Sequence, residues 1–416
     1  MNAPRDRLAF SRSCRTLSGV FADMDAVLDW FAAKDRRDRF TVRRVPLTAL
    51  DQWAYLENPL RLGHRSGKFF TIEGIRVETA CGPVPSWDQP IINQPEVGIL
   101  GLLAREIDGV LHFLMQAKME PGNVNVLQLS PTVQATRSNY SRVHGGQAPR
   151  YLEYFTEPGL ARVLLDQLQP EQGARFLRKR NRNMVVAVDH EVPVHEDFCW
   201  LTLGQIKALL ARDNIVNMDA RTVVSLIPMS DPDAAPDAAV LEDVAGFRRD
   251  AYLSFCRAPR ERHSMDAIMT WLTEAKARQD MRVAPLPLDA LRGWNVTDEA
   301  IFHDTGLYFS VIGVDVAACT REATHWSQPL LHHEGEGLVG FLCQNQGGVL
   351  HFLVRGSLEP GNRDGVQIGP TVACSEVAAR ATRHCAPPFL EAFLEPAPGT
   401  VRYDAVQSEE GGRFHH

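Results

Sequence analysis

Lys118 and Glu120 stand two residues apart in the run GVLHFLMQAKMEPGN, an ammonium and a carboxylate that period-two alternation brings to one side of a strand. Shortly after, Thr136 to Gly146 reads TRSNYSRVHGG, the densest polar constellation in the chain, with two guanidiniums, an amide, a phenol, an imidazole and a flexible glycine end. Turn chemistry accounts for Ser138, Asn139 and the glycines. It does not account for Tyr140, Arg142 and His144 arriving with them, so the segment reads as a ligand loop. Ammonium, carboxylate, phenol and imidazole are the groups of general acid–base work and of stabilising a developing anion, and they name Lys118, Glu120, Tyr140 and His144 as catalytic candidates.

Other clusters admit two readings. RFLRKRNRN, which contains Arg178 and Arg180, is either a phosphate-binding cluster or a solvated basic edge. Trp53 and Trp294 recur at matching places, so core packing is the default and a stacked base or sugar the sharper alternative. His190 and His195, among Asp189, Glu191, Glu196 and Asp197, are five apart with Pro193 between them, which favours a solvated loop over a metal site. GEGLVG at 335–340 fits a glycine-rich fingerprint but precedes a strand-like run instead of a helix, so dinucleotide binding is rejected.

The elements that must hold these groups are written twice. GVLHFLMQAKMEPGNVNVLQLSPTV from Gly109 returns as GVLHFLVRGSLEPGNRDGVQIGPTV from Gly348, an offset of 239 without a gap. The same register pairs Phe70 with Phe309, Gly74 with Gly313, Trp87 with Trp326 and Gly101 with Gly340; upstream the offset is 241, pairing Trp53 with Trp294. Downstream, QPEQGARF at 169 matches QSEEGGRF at 407, and the second copy then stops without a counterpart of residues 178–228. The expected organisation is a first repeat over 20–229, a linker and helical lead-in over 230–263, and a second repeat over 264–416 that reads as truncated at its C-terminal end or closed in another way.

The copies differ where chemistry was sought. Lys118, Asn139, Tyr140 and His144 are answered by Ser357, Ala378, Ala379 and Arg383, whereas Glu120, Pro121, Gly122 and Asn123 return as Glu359, Pro360, Gly361 and Asn362. The first copy is therefore the expected active one, and the retained EPGN is a structural turn in which Glu120 is either functional or structural. The Asp108-Gly109 pair predicts a hairpin turn, with Leu111, Phe113, Met115, Ala117 and Met119 on one face and Lys118 on the other, a candidate pocket wall. PGLARVLLDQLQ and LTLGQIKALLAR predict amphipathic helices, the second capped by Thr202. Strands first and helices afterwards in each copy predict an α/β (α+β) architecture of mixed sheets with packed helices.

Composition bounds the rest. A chain of 416 residues with 44% hydrophobic content and net charge −7 predicts two globular domains with no nucleic-acid or anionic-membrane partner. No membrane-length apolar run and no leader pattern is visible, so a cytoplasmic protein is expected. Eight cysteines without a CxxC pair read as free thiols.

QAKMEPGNVNVLQLSPTVQATRSNYSRVHGGQAPRYLEYF followed by QPEQGARFLRKRNRNMVV resembles the NDP-hexose 2,3-dehydratase family of deoxysugar biosynthesis over nearly the whole chain. The resemblance implies two tandem Nudix-like domains, a homodimer, dTDP-4-keto-6-deoxyglucose as substrate, and functional coupling to a 3-ketoreductase. It implies no cofactor and no metal, since the C4 carbonyl acidifies the C3 hydrogen and water leaves by β-elimination to give a 3,4-diketo-2,6-dideoxy sugar. In that chemistry Glu120 or His144 is the base, Lys118 stabilises the enolate and Tyr140 protonates the hydroxyl. Arg137, Ser138, Asn139 and Arg142 are expected to hold the diphosphate. Trp53, Gln128, Gln134, Thr136, Tyr140, Arg178, Arg180 and Trp294 complete the expected substrate-binding set. The competing readings are a Nudix-like nucleotide-sugar hydrolase, disfavoured by the missing glutamate-rich Nudix box, and a non-catalytic sugar-nucleotide binding protein.

Overall fold

Alternation along Val110–Met119 decides the core of the first repeat: Leu111, Phe113, Met115, Ala117 and Met119 all enter one hydrophobic cluster, while Leu114 enters a second on the opposite face of the sheet. The strand is joined to Gly98–Ile107 by a turn at Asp108 and Gly109, whose φ values of 50° and 75° suit the right-handed twist of a hairpin. In the computed structural model, which describes residues 4–37, 39–82, 84–136, 149–228, 236–256, 261–319, 324–375 and 386–416, this hairpin is the centre of a seven-stranded mixed sheet. Arg180–Val188 runs parallel to Gly98–Ile107, and Phe198–Thr202 runs antiparallel to Val110–Met119. The short strands Leu127–Ser130 and Val133–Ala135 close over its two sides.

The helices Pro4–Arg15, Leu203–Leu210 and Met218–Ser225 contribute to the larger of those clusters. Thr202 caps Leu203–Leu210 as expected: its side chain accepts from the Gln205 backbone N–H, and the Gln205 side chain accepts from the Thr202 N–H. PGLARVLLDQLQ is a correction. It forms the strand Arg162–Pro170, paired antiparallel with Arg180–Val188 and bulged between Val163 and Leu165. Only Leu164 and Leu165 of its apolar residues are buried, and Val163 and Leu168 are exposed, so the helical spacing does not mark a core face. Ladder bonds to the neighbouring strand outweigh a weak local preference.

The two repeats exchange strands. Phe40–Val45, from the first repeat, pairs with Ser310–Ala318 of the second, and Arg282–Leu286, from the second, pairs with Thr71–Glu78 of the first. Each exchanged strand passes tightly over a glycine: a Cβ at Gly74 would lie 2.7 Å from the Leu286 carbonyl oxygen, and one at Gly313 would lie 2.6 Å from that of Val45. One hydrophobic cluster draws on both repeats, with Trp53, Phe70, Ile92 and Phe176 packed together with Leu288, Phe309, Leu331 and Phe414. The repeats thus share a core, which burial of apolar surface stabilises only while both are present.

The second repeat's counterpart of the central hairpin is divided into three two-stranded ribbons, Gly337–Gly340 with Val372–Ser375, Cys343–Gln346 with Val349–Phe352, and Arg355–Leu358 with Val366–Gly369. Among the described residues it has no parallel neighbour like Arg180–Val188, and Val339, Phe341, Phe352 and Ile368 are exposed. GEGLVG is part of a ribbon here, not a loop opening a helix. No described helix is long and apolar enough to cross a membrane.

Candidate active site

A cavity of about 660 Å³, within the range of small-molecule sites, opens at the C-terminal end of Val110–Met119. Lys118 and Glu120 form its floor. The Lys118 ammonium lies 3.0 Å from Glu120 Oε1 and donates to Gln134 Oε1 at 2.7 Å, while Gln134 Nε2 donates to Glu120 Oε1 at 3.0 Å. This closed triangle is nearly dry, with the side chains of Lys118 and Glu120 at 11% and 5% exposure. In so little water the charges act at short range and with fixed geometry. Gln134 comes from Val133–Ala135, paired with Gly98–Ile107, so the strand order itself assembles the triangle. Asn217, which caps Met218–Ser225, donates to the same Gln134 oxygen.

The walls come from both repeats. Trp53, His64, Phe70, Thr136, Lys179, Asn181 and Asp219 belong to the first; Trp326, Ser327, Gln328, Glu410, Gly412 and Arg413 belong to the second. Residues 407–416 are drawn into the first repeat by backbone bonds. Gly122 N–H donates to the Gly411 carbonyl and His416 N–H donates to the Gly122 carbonyl, both at 2.8 Å. The matching contact is present on the other side, where Gly361 N–H donates to the Gly173 carbonyl and Arg178 N–H to the Gly361 carbonyl. A Cβ at Gly122 would lie 1.5 Å from the Phe414 oxygen, which explains why the EPGN turn carries glycine. The retained motif is therefore the socket that each repeat offers to the other's GARF or GGRF segment.

Burial sets the electrostatics. It pushes the Asp219 carboxyl well up, with neighbouring carboxylates adding to the effect, raises Glu410 against the opposing Arg413 guanidinium, and raises Glu171 to about 7. Burial also lowers the Lys179 ammonium. The Arg413 guanidinium stacks 4.3 Å from the Phe70 ring centroid and donates to Gln94 Oε1 at 3.2 Å. Glu410 and Asp219 are therefore the cavity carboxyls most able to hold a proton, and Lys179 and Arg413 offer cationic groups to a phosphate.

Of the residues named from sequence, Lys118, Glu120, Trp53, Gln134 and Thr136 line this cavity. Trp53 is held edge-on to His64 and donates its indole N–H to the Ser327 carbonyl. Trp294, its partner across the repeat, lies away from the cavity and donates to the Asp88 carbonyl. Gln128 is fully buried behind the floor and donates to Ser408 Oγ at 2.7 Å, so it ties down the second repeat's tail. Arg178 and Arg180 do not line the cavity, whereas Lys179 between them does. Arg137, Ser138, Asn139, Tyr140, Arg142 and His144 lie outside the described residues. His195 packs edge-on to Tyr151 in a loop, and among the described residues no three His, Cys, Asp or Glu gather as a ligand set for a metal.

Sequence reasoning missed Lys179, Asp219, Glu410 and Arg413. The match of QSEEGGRF to QPEQGARF did flag the segment carrying the last two, but only the exchange of segments brings it to the opposite repeat's cavity.

The family model described as NDP-hexose 2,3-dehydratase matches residues 24–227 and 265–416. Three curated relatives carry the name dTDP-4-dehydro-6-deoxy-alpha-D-glucopyranose 2,3-dehydratase. That of Saccharopolyspora spinosa is 50% identical over 93% of this chain and 79% of its own length. That of Amycolatopsis orientalis is 43% identical over 98% and 82%, and that of Streptomyces violaceoruber 45% identical over 93% and 84%. With both repeats matched and identities this high along nearly the whole chain, the protein belongs to the NDP-hexose 2,3-dehydratase family.

Proposed function

We propose that the chain is a dTDP-4-keto-6-deoxyglucose 2,3-dehydratase, a hydro-lyase, and that the cavity floored by Lys118, Glu120 and Gln134 is where water is lost. The observation that carries the site is the dry triangle of those three side chains, which only the first repeat possesses. Glu120 takes the C3 proton, made acidic by the C4 carbonyl. Lys118, 3.0 Å from Glu120, stabilises the C4 enolate oxygen. Lys179 and Arg413 bring the positive charge that a diphosphate requires. The electron pair freed at C3 becomes the C2–C3 double bond as the C2 hydroxyl departs. The enol then tautomerises, so the change at C3 is an internal redistribution of electrons.

This reading takes residues 20–229 and 264–416 as tandem Nudix-like modules joined by 230–263, in a cytoplasmic homodimer whose labile diketo product a 3-ketoreductase consumes. Incubation with dTDP-4-keto-6-deoxyglucose, followed by mass spectrometry, tests the activity: loss of one water from the sugar nucleotide is expected. Release of a sugar phosphate, abolished by EDTA, is the outcome of a hydrolase and would overturn it.

A further inference from the structure

The dehydratase reading gives no task to Glu410, a carboxyl of the cavity. Glu410 enters from the second repeat on a segment locked at both ends: Gln128 grips Ser408 on one side, and on the other the Arg413 carbonyl accepts from Leu331 N–H at 2.8 Å while Gln328 donates to the Gly412 carbonyl at 2.8 Å. Its backbone presses on the floor, since a Cβ at Gly411 would lie 2.9 Å from Glu120 Cβ. The Glu410 carboxyl is partly accessible from the cavity and accepts no hydrogen bond from a described residue. Glu120, by contrast, faces the Lys118 ammonium and takes a hydrogen bond from Gln134. Among the carboxyls of the cavity, Glu120 is held by an ammonium and an amide, whereas Glu410 accepts no such hydrogen bond and feels the Arg413, Lys179 and Lys118 charges only from nearby; two carboxyls in unlike settings are the arrangement in which one serves as base and the other as acid.

The internal repeat supplies a natural control. The residue matching Glu410 in the first copy is Gln172, which sits in the same turn beside the second repeat's EPGN socket, where Lys118 is replaced by Ser357. An amide is therefore compatible with this backbone, and the carboxyl is found only on the side that also has the ammonium. A purely structural counter-ion would be wanted equally in both places, because Arg175 and Arg413 stack alike on Phe309 and Phe70.

We infer that Glu410, supplied by the second repeat, is the acid that protonates the departing C2 hydroxyl in the first repeat's cavity. The balance closes within the two carboxyls. Glu120 takes the C3 proton, the C2–O bond breaks, and the Glu410 proton leaves with the hydroxyl as water. Protonated Glu120 then returns its proton to C2, the 3-enol gives its O–H proton to the Glu410 carboxylate, and both groups regain their starting states. Burial raises the Glu410 carboxyl against the opposing Arg413 guanidinium, the direction that an acid requires.

This inference rests on the dehydratase reading, and the test separates the two. Wild type, Glu410→Gln and Asp219→Asn are incubated with dTDP-4-keto-6-deoxyglucose in D2O, with loss of water and deuterium at C3 of recovered substrate both followed by mass spectrometry. Binding of dTDP is measured by calorimetry. For Glu410→Gln, elimination falls about 10²–10⁴-fold, while C3 exchange and dTDP binding persist. Asp219→Asn shows no such split between exchange and elimination. Unchanged elimination in Glu410→Gln, or parallel loss of exchange and elimination, overturns the assignment, as does the split appearing in Asp219→Asn instead. A wild-type protein that neither exchanges nor dehydrates overturns the dehydratase reading itself.

Discussion

The EPGN turn occurs twice, and its two settings differ in what the glutamate holds. In the second repeat Glu359 Oε2 accepts from the Ala174 backbone N–H at 3.2 Å, a bond that fastens the opposite repeat's segment. In the first, Glu120 is engaged by Lys118 and Gln134, whose counterparts are Ser357 and Ala373. The same backbone socket thus fastens the opposite segment through its glutamate on one side and, on the other, presents its glutamate to the cavity beside an ammonium and an amide. Both copies share the scaffold, and three side-chain differences, Lys118, Gln134 and Glu410 against Ser357, Ala373 and Gln172, set the first repeat's cavity apart. The supporting sheet differs in the same sense, continuous over seven strands beneath Lys118 and split into ribbons beneath Ser357.

The comparison breaks most visibly at the floor. Lys118→Met is expected to lower kcat about 10²–10³-fold by removing the group that meets the enolate oxygen, while Ser357→Ala leaves kcat unchanged; steady-state kinetics of both variants decide it. Comparable losses in the two would mean that the second repeat also carries out chemistry. At the walls, Arg413→Ala is expected to weaken substrate binding about 10-fold or more, as loss of a charge-assisted hydrogen bond would. Arg175→Ala, its counterpart over Phe309, is expected to cost stability without changing the dissociation constant measured by calorimetry.

The smallest effect is expected where the exchanged segments meet behind the cavity. Asp88 accepts from Arg76 and Arg292, one guanidinium from each repeat, and its counterpart across the repeat is the uncharged Ser327. The Arg76 hydrogen bond, followed by those of Arg292, holds the Asp88 carboxyl well below the usual carboxylate range against the opposing effect of burial. A depressed folded-state value means that its stabilisation is complete above about pH 4, the unfolded value, and is lost as pH falls through the folded one. Asp88→Asn should therefore destabilise by about 2 kcal/mol at neutral pH. In urea melts the gap to wild type should close as pH drops below about 4, and a gap constant with pH would show that Asp88 acts by packing alone.

The sequence by itself determined a good deal. Alternation along Val110–Met119 set which side chains enter the core and which face the cavity, Asp108-Gly109 set the hairpin, and Thr202 set a helix start, because each depends on neighbours within a few residues. The 239-residue offset determined that there are two copies and that Lys118 belongs to only one. Local pattern failed at Arg162–Pro170, where a helical spacing of leucines became an edge strand through pairing with a segment further along the chain. Only the tertiary structure decided that Phe40–Val45 and Arg282–Leu286 change places, that Gln128 and Ser408 meet across 280 residues, and that Glu410 and Arg413 complete a cavity begun by Lys118. Those choices rest on hydrogen-bond ladders and apolar burial between distant segments, which leave no periodic trace in either segment alone.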